Sequence, residues 1–462
     1  MKNWLKKLAA RLSNRQAFWN KKGSTLAARA LDFGAKYSED YATRGRLTIP
    51  QAKRAEHIAI LGRTGSGKSS LVKYIAKQDI ESGRGGVYLD LHGDATPFLI
   101  ATVAAHERTL GRDLSDRVIV GDPADPEYSI GLNPLGQERE GNRFLQVAEL
   151  AEILKKRWHL DSFGARTDEL LRNALYLAAE NGLTLLEVAP LLADSAFRAR
   201  CLRNLGNREV RQYFEMRYDQ ASEPMRAAMR EPILNKLSAF TADPRFRAIV
   251  GQERSTFSFR DVMDGRGRWI FLDLHKGRLG EQAATFGSLF LAMIKNALFA
   301  RKSRELFTIY ADEIQNLVAY GSGLETMLSE ARKFGVGFVT ANQFLEQYPS
   351  EMRAAIMAVG THLFFQLSPQ DAREIAAALD GGKPLAELLK NLPRRHMVVK
   401  TGSDRWQQGV VPMLREPKAD TTDLYDRCRA RWARKRSEIE AEIRERQTKL
   451  GRTTSEVLDE WE

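Results

Sequence analysis

The chain has 462 residues, of which 43% are hydrophobic and 28% charged, as is typical of a globular protein with two or three domains and a full core. Its formal net charge of +12 favours polyanionic partners, nucleic acid before an anionic membrane surface. The longest apolar stretch (286–300) is too short to span a bilayer, and Cys201 and Cys428 stand far apart without ligand-like neighbours, which argues against a disulfide framework or a zinc site.

Residues 1–56 are predicted to form a basic, helical N-terminal arm. Residues 1–57 contain thirteen Lys or Arg against four Asp or Glu. Within residues 1–22 the apolar side chains share one helical stripe, so this segment could dock on a membrane surface, bind nucleic acid or pack on a neighbouring subunit. No signal peptide is predicted, because a continuous apolar segment and a cleavage site are missing, and we expect a cytoplasmic protein.

A phosphate-binding loop follows at residues 62–69, whose sequence GRTGSGKS matches G-x-x-x-x-G-K-[ST] completely. An apolar strand is predicted directly before it and a helix directly after it, which is the context that the motif requires. The glycines let backbone N–H groups turn towards phosphate, Lys68 would reach the β- and γ-phosphates, and Ser69 would bind Mg²⁺. The predicted nucleotide-binding residues are Arg63, Thr64, Gly65, Ser66, Gly67, Lys68, Ser69 and Ser70.

Strands alternate with helices from residue 57 to 140 and again from 251 to 415. This alternation predicts an α/β domain with a mainly parallel sheet and ligands at the carboxyl ends of its strands. Asp90 and His92 follow the second predicted strand and would lie near the nucleotide. Each could have a catalytic role or could belong to a hydrogen-bonded strand end.

The strand pattern is absent from residues 141–250, where helical periodicity predicts an inserted all-α subdomain. An arginine-rich run within it could contact phosphates or form a solvated helix face. Residues 416–462 are strongly charged and are predicted to form a solvated helical C-terminal tail.

The second chemical landmark is an apolar strand at 306–311 that ends in Asp312-Glu313, a Walker B pattern. Asp312 would hold the Mg²⁺ shell, and Glu313 would polarise the attacking water as general base. A later strand ends near Gln343, whose amide could hydrogen-bond the γ-phosphate or the water. Arg332 is the candidate for the arginine that supplies positive charge to the γ-phosphoryl group of a neighbouring subunit. Alternatively, it forms a structural salt bridge.

The phosphate loop, helical insertion, late Walker B pair and strand-terminal Gln follow the order found in the HerA–FtsK superfamily. Within it the chain resembles the coupling-protein ATPases of type IV secretion and conjugative DNA transfer. The matching stretches are 62–69, 311–316 and 330–337 with Asn342-Gln343, and the resemblance covers about residues 55–400. Two departures stand out: the membrane helices that commonly precede such domains are missing, and the Pro-Lys pair of many relatives is replaced after Asp90.

The resemblance implies a RecA-like domain that forms a ring, usually a hexamer, and moves DNA with ATP and Mg²⁺ bound between subunits. Lys68 and Ser69 would bind phosphate and Mg²⁺, Asp312 and Glu313 would support hydrolysis, and Gln343 would be the sensor. Implied partners are DNA without sequence preference, a relaxase or other transfer components, and the membrane periphery through residues 1–22. Two alternatives stay open: a HerA-like DNA-processing or defence translocase beside a nuclease, and an ATPase that delivers protein cargo to a secretion channel.

Overall fold

The computed structural model of the protein describes residues 30–37, 45–136, 143–157, 160–203, 205–314 and 324–451. In chain order, its strands are β1 (Ala30–Lys36), β2 (Arg46–Pro50), β3 (Ile58–Leu61), β4 (Gly86–Asp90), β5 (Val118–Gly121), β6 (Tyr128–Ser129), β7 (Trp269–Asp273), β8 (Phe307–Asp312), β9 (Val336–Asn342), β10 (Thr361–Phe364), β11 (His396–Thr401), β12 (Gln407–Val410) and β13 (Arg434–Lys435). Within these residues an eleven-stranded sheet has the order β2-β1-β12-β11-β10-β3-β9-β8-β4-β7-β5, and β6 pairs with β13 apart from it.

The α-helices divide between the two faces and the edges of this sheet. They are α1 (Lys68–Glu81), α2 (Ala95–Leu110), α3 (Arg143–Arg157), α4 (Ala165–Glu180), α5 (Val188–Ala193), α6 (Ser195–Arg203), α7 (Arg208–Gln212), α8 (Glu223–Thr241), α9 (Pro244–Val250), α10 (Phe259–Asp264), α11 (Lys276–Leu279), α12 (Gln282–Phe299), α13 (Leu324–Glu330), α14 (Ser350–Met357), α15 (Pro369–Ala378), α16 (Gly382–Asn391), α17 (Thr422–Trp432) and α18 (Arg436–Gly451). Among the described residues, none of these helices has the length and apolarity needed to cross a bilayer.

The strands from β10 to β5 run parallel, and β11, β12, β1 and β2 continue the sheet antiparallel at one edge. Every residue of β3, β4, β7, β8 and β9 is buried. Parallel strands become this apolar when helices cover both faces of the sheet, and here α1 and α2 pack on one face and α12 on the other. The prediction of an α/β fold with a mainly parallel sheet is confirmed.

The prediction of a helical arm up to residue 56 is wrong for its last part. Residues 30–36 and 46–50 form β1 and β2, which pair with each other and extend the antiparallel edge. Leu31 and Phe33 of β1, and Leu47 and Ile49 of β2, are buried at every second position, a period of two that fits a strand and not a helix. The amphipathic helix predicted for residues 1–22 lies outside the described residues.

Between β6 and β7 the described residues form the helices α3 to α10 and a π-helix, Tyr213–Tyr218, without a strand of the sheet. Many of their apolar side chains, such as Leu171, Leu175 and Phe214, are buried. They belong to the same continuous apolar cluster as Ile270 and Ile309 of the sheet. The helical region therefore packs directly on the parallel part of the sheet.

The C-terminal helices α17 and α18 are charged, but the prediction that they are solvated is wrong. Leu424 and Cys428, and then Ile439 and Ile443, are at most 2% exposed. Each pair is spaced i, i+4, so one side of each helix carries a narrow apolar stripe that packs on the body of the protein. Trp432 Nε1 also donates to the carbonyl of Ser115 (2.9 Å). The last part of the predicted tail, residues 452–462, lies outside the described residues.

A buried ion pair joins elements at the amino ends of the central strands. The Arg54 guanidinium, in the turn before β3, donates to both carboxylate oxygens of Asp79 on α1 (2.5 and 2.6 Å). It also donates to Thr308 (3.1 Å) and Tyr310 (3.2 Å) of β8. Arg54 and Asp79 are 1% and 0% exposed, and the only other cation within 4 Å of Asp79 among the described residues is the partly exposed Arg84, at 3.9 Å.

We therefore expect Arg54→Ala to lower the free energy of unfolding by about 3–5 kcal/mol, the cost of breaking a buried ion pair by removing one partner. Lys77→Ala is the matched control, because Lys77 and Glu81 form a partly exposed pair on the same helix as Asp79. Removing that pair should change stability by less than about 1 kcal/mol. Urea titrations of both variants and the wild type measure the difference. Equal midpoints for the two variants would contradict the assigned role of Arg54.

Candidate nucleotide-binding site

The phosphate loop connects the end of β3 to the start of α1, as the motif predicts. Gly67, directly before α1, has φ 119°, a left-handed value that residues with a Cβ rarely adopt. At Gly62 the constraint is space, since an added Cβ would lie 2.6 Å from the Cβ of Phe365. Residues 63–68 thus wrap around the N-terminus of α1, where backbone N–H groups and the helix dipole favour an anion. Ser69 and Ser70 occupy the first turn of the helix.

The side chain of Lys68 folds back over the phosphate loop. Its ammonium donates to the carbonyls of Gly62 (2.6 Å) and Arg63 (3.1 Å). Burial lowers the pKa of Lys68, because the charged form loses solvation. A phosphate in the loop would offer this ammonium anionic oxygens in place of the neutral carbonyls.

The phosphate loop and the Walker B strand meet through one short hydrogen bond. Ser69 Oγ donates to Asp312 Oδ2 (2.5 Å), across 243 residues of sequence. Asp312 is 5% exposed, and burial raises the pKa of its carboxyl group. A hydroxyl and a carboxylate oxygen at this distance suit Mg²⁺, which takes oxygen ligands, uses few from the protein and completes its shell with phosphate and water. The residues present fit that ion.

Glu313 is the centre of a polar chain that reaches from the phosphate loop to β4. Gln343 Nε2 donates to Glu313 Oε1 (2.6 Å), and Thr64 Oγ1 donates to Gln343 Oε1 (3.0 Å). On the other side, His92 Nε2 lies 3.5 Å from the same Oε1 atom. The contact with His92 is the main reason that the pKa of Glu313 falls to about 2, so the carboxylate is ionised at neutral pH.

Asp90 and His92 are both predicted to lie near the nucleotide, but their surroundings in the structure differ. The Asp90 carboxylate accepts hydrogen bonds from the backbone N–H groups of Gly93 (2.8 Å), Ala95 (3.0 Å) and Thr96 (2.7 Å). It therefore closes the strand end and caps the first turn of α2. His92 instead faces Glu313, and this contact raises the pKa of its imidazole.

Arg332 lies at the opposite end of the sheet from the phosphate loop. It precedes β9, a strand of seven residues that spans roughly 23 Å before Gln343. Its guanidinium is 66% exposed and forms a salt bridge with Glu56 (3.1 Å). Arg332 therefore cannot contact a nucleotide bound by its own subunit, and any role in hydrolysis requires a neighbouring copy.

Two segments that form backbone hydrogen bonds with the phosphate loop were not predicted from the sequence to contact it. The N–H of Arg395 donates to the carbonyl of Ser66 (2.8 Å), and the N–H of Arg63 donates to the carbonyl of Gln366 (2.8 Å). Arg395 adopts φ 69°, a strained value for a residue with a Cβ. The basic run that follows Pro393, directly before β11, is the signal in the sequence that could have pointed to this segment.

His57 holds the segment that carries Arg332. Its Nε2 lies 2.8 Å from the carbonyl of Leu328, and its Nδ1 accepts from the N–H of Phe338 (3.1 Å). This pairing assigns the proton to Nε2 and requires a neutral ring, because a protonated Nδ1 could no longer accept. Burial lowers the pKa of His57 to about 4, below its ordinary value of 6.5.

The unfolded chain therefore binds the His57 proton more tightly than the folded chain does. Its contribution to stability is complete above about pH 6.5 and is lost as the pH falls towards 4, by roughly 3 kcal/mol in total. His57→Gln should remove this part of the pH dependence, whereas His106→Gln, at a half-buried site on α2, should keep it. Urea titrations between pH 4.5 and 7.5 measure both slopes, and equal slopes for His57→Gln and the wild type would refute the assignment.

Two family models match the chain in succession. The model described as "Helicase HerA, central domain" matches residues 51–187, which include the phosphate loop. The model described as "Type IV secretion-system coupling protein DNA-binding domain" matches residues 205–394, which include Asp312, Glu313 and Gln343. Among curated proteins none matches the chain by sequence.

Solved structures share the fold at low sequence identity. The bacterial conjugative coupling protein TrwB, in its trigonal form with sulphate, is 15% identical over 84% of this chain and 96% of its own, with a TM-score of 0.59. TrwB in complex with ADP and Mg²⁺ is 15% identical over 84% of this chain and 95% of its own, with a TM-score of 0.56. VirB4 of Thermoanaerobacter pseudethanolicus is 15% identical over 84% of this chain and 97% of its own, with a TM-score of 0.58. The chain therefore has the TrwB-like, RecA-type fold with additional helical regions.

Proposed function

Because the chain belongs to the HerA–FtsK superfamily, we propose that it is an ATPase that translocates DNA, as a coupling-protein-like motor in conjugative, type IV secretion-type or mobile-element transfer. The observation that carries this proposal is the 2.5 Å contact between Ser69 and Asp312, with Glu313 one residue further on. It places a hydroxyl, a buried carboxylate and an ionised carboxylate at the N-terminus of a phosphate-binding helix, which is the set that phosphoryl transfer to water needs.

Each residue has a distinct task in hydrolysis. Lys68 and the backbone N–H groups of the loop bind and orient the phosphates, and Ser69 and Asp312 hold Mg²⁺, which neutralises charge on the phosphates when bound. Glu313 orients and polarises the attacking water, and Gln343 links that carboxylate to Thr64 on the loop. A structural change at the γ-phosphate can be transmitted to β9 through Gln343, as expected for a sensor residue.

DNA is the proposed substrate of the motor. The match of residues 205–394 to a coupling-protein DNA-binding domain and the net charge of +12 both support it. Contacts from Lys and Arg to the phosphate backbone suffice for movement along DNA and need no reading of bases. A ring of subunits, proposed as a hexamer, would set Arg332 of one copy beside the phosphate loop of the next.

The setting of the motor is also part of the proposal. A coupling-protein role implies a relaxase or other transfer components as partners. It also implies that this protein is cytoplasmic and contacts the membrane periphery through residues 1–22. The match of residues 51–187 to the HerA central domain favours a second candidate, a DNA-processing or defence translocase that works beside a nuclease. In a third, the helical region α3–α10 would receive protein cargo, and hydrolysis would not respond to DNA. Neighbouring relaxase and channel genes, as against a nuclease gene, separate the first two candidates.

We expect steady-state ATPase activity that rises several-fold with single- or double-stranded DNA. Lys68→Ala should abolish it through loss of phosphate binding, and Glu313→Gln should lower kcat by about 100-fold or more while nucleotide still binds. Lys449→Ala, which removes an exposed pair with Glu445, is the control for a lost lysine. Activity that is lost in both variants but indifferent to DNA would refute the DNA motor and favour protein cargo.

The variant Arg332→Ala tests whether Arg332 promotes hydrolysis in a neighbouring subunit. If Arg332 serves a neighbour, the variant should bind nucleotide but hydrolyse it at least about tenfold more slowly. Mixing it with Lys68→Ala should restore activity, because some interfaces then combine an intact loop with an intact Arg332. Glu56→Ala is the matched control, since it breaks the same salt bridge but keeps the guanidinium. Equal losses in Arg332→Ala and Glu56→Ala, without restoration on mixing, would assign Arg332 to the salt bridge alone.

A further inference from the structure

Glu313 is held in a backbone conformation that it would not adopt alone. Its φ is 56°, in the left-handed region, which costs a residue with a Cβ about 1 kcal/mol or more. Its N–H continues the parallel ladder and donates to the carbonyl of Ala341 (2.8 Å). Because this backbone conformation costs free energy, contacts made by Glu313 must hold it in place.

Two side chains from the flanking strands meet this carboxylate. Gln343 follows β9 on one side of β8, and His92 follows β4 on the other. Both contact the same atom, Oε1, at 2.6 Å and 3.5 Å. Contacts from both sides to one oxygen restrict rotation of the carboxylate and so fix the direction of its second oxygen.

The loop that carries His92 is built tightly. The carboxylate of Asp90 accepts from the backbone N–H groups of His92 and Gly93, and the carbonyl of Leu91 accepts from the N–H of Lys276 (3.2 Å). A Cβ at Gly93, where φ is 76°, would lie 2.7 Å from Cγ of His275. The loop therefore has little room to shift, and His92 reaches Glu313 from a fixed base.

We propose that His92 is a positioning residue for hydrolysis: its Nε2–H holds Oε1 of Glu313 so that the carboxylate is oriented towards the attacking water. This inference rests on the proposed ATPase function. His92 acts through Glu313 and does not itself contact the nucleotide. Gln343 also accepts a hydrogen bond from Thr64 of the phosphate loop, whereas His92 connects Glu313 to the end of β4. The two contacts therefore hold the carboxylate from different elements.

The test separates kcat from nucleotide binding. His92→Ala should lower kcat about tenfold, the effect expected when a polar contact to a charged group is lost. The KM and the affinity for a fluorescent ATP analogue should stay within about twofold of the wild type, because Lys68 and Ser69 are untouched. His92→Gln, whose amide can donate from nearly the same place, should recover most of kcat. His106→Ala, a half-buried histidine on α2, is the matched control and should leave kcat unchanged.

A double-variant cycle shows whether His92 acts through Glu313. In a Glu313→Gln background, His92→Ala should cause no further loss of kcat, since the carboxylate that it positions is gone. A wild-type kcat in His92→Ala, a loss that His92→Gln does not recover, or an equal loss in nucleotide affinity would each overturn this inference. In all three cases an active wild type leaves the proposed ATPase standing. An inactive wild type would overturn both proposals together.

Discussion

The alignment of the carboxyl ends of the parallel strands is the constraint on which the rest of the site depends. Leu61 of β3 pairs with Asn342 of β9, and Asp312 of β8 pairs with Ala341. This register brings the phosphate loop, the Walker B pair and Gln343 to one edge within hydrogen-bond distance. A slip of one residue would turn Asp312 to the other face of the sheet and break its contact with Ser69.

The two ends of the sheet serve different purposes. At the amino ends, Arg54 and Asp79 form a closed, buried network that links α1 to β8, and His57 holds the segment before β9. At the carboxyl ends the polar groups are Glu313, His92 and their neighbours, which are partly exposed and can meet a ligand. Rigid support at one end lets the other keep charged groups in a strained, specific arrangement.

The C-terminal helices contribute to the arrangement of the helical region on the sheet. The C-terminal helices contact both the chain that leads from β5 to the helical region and the last part of that region. Arg436 donates to the carbonyl of Pro123 (2.8 Å), between β5 and β6, and Arg446 donates to the carbonyl of Gly251 (2.7 Å), directly after α9. β13 also pairs with β6. Charged side chains that would be solvated on an isolated helix here satisfy backbone carbonyls at the junction.

The sequence by itself determined the phosphate loop, the Asp312-Glu313 pair and the parallel α/β fold, because each depends on residues close together in the chain and on a hydrophobic period that local segments display. Tertiary structure alone decided which strands form the edge, that the C-terminal helices dock, and that Arg332 lies at the far end from Lys68. It also decided that Asp90 caps a helix while His92, two residues later, contacts Glu313. These outcomes depend on pairing between segments that are far apart in sequence. The residue pattern within one segment does not specify the segment with which it pairs.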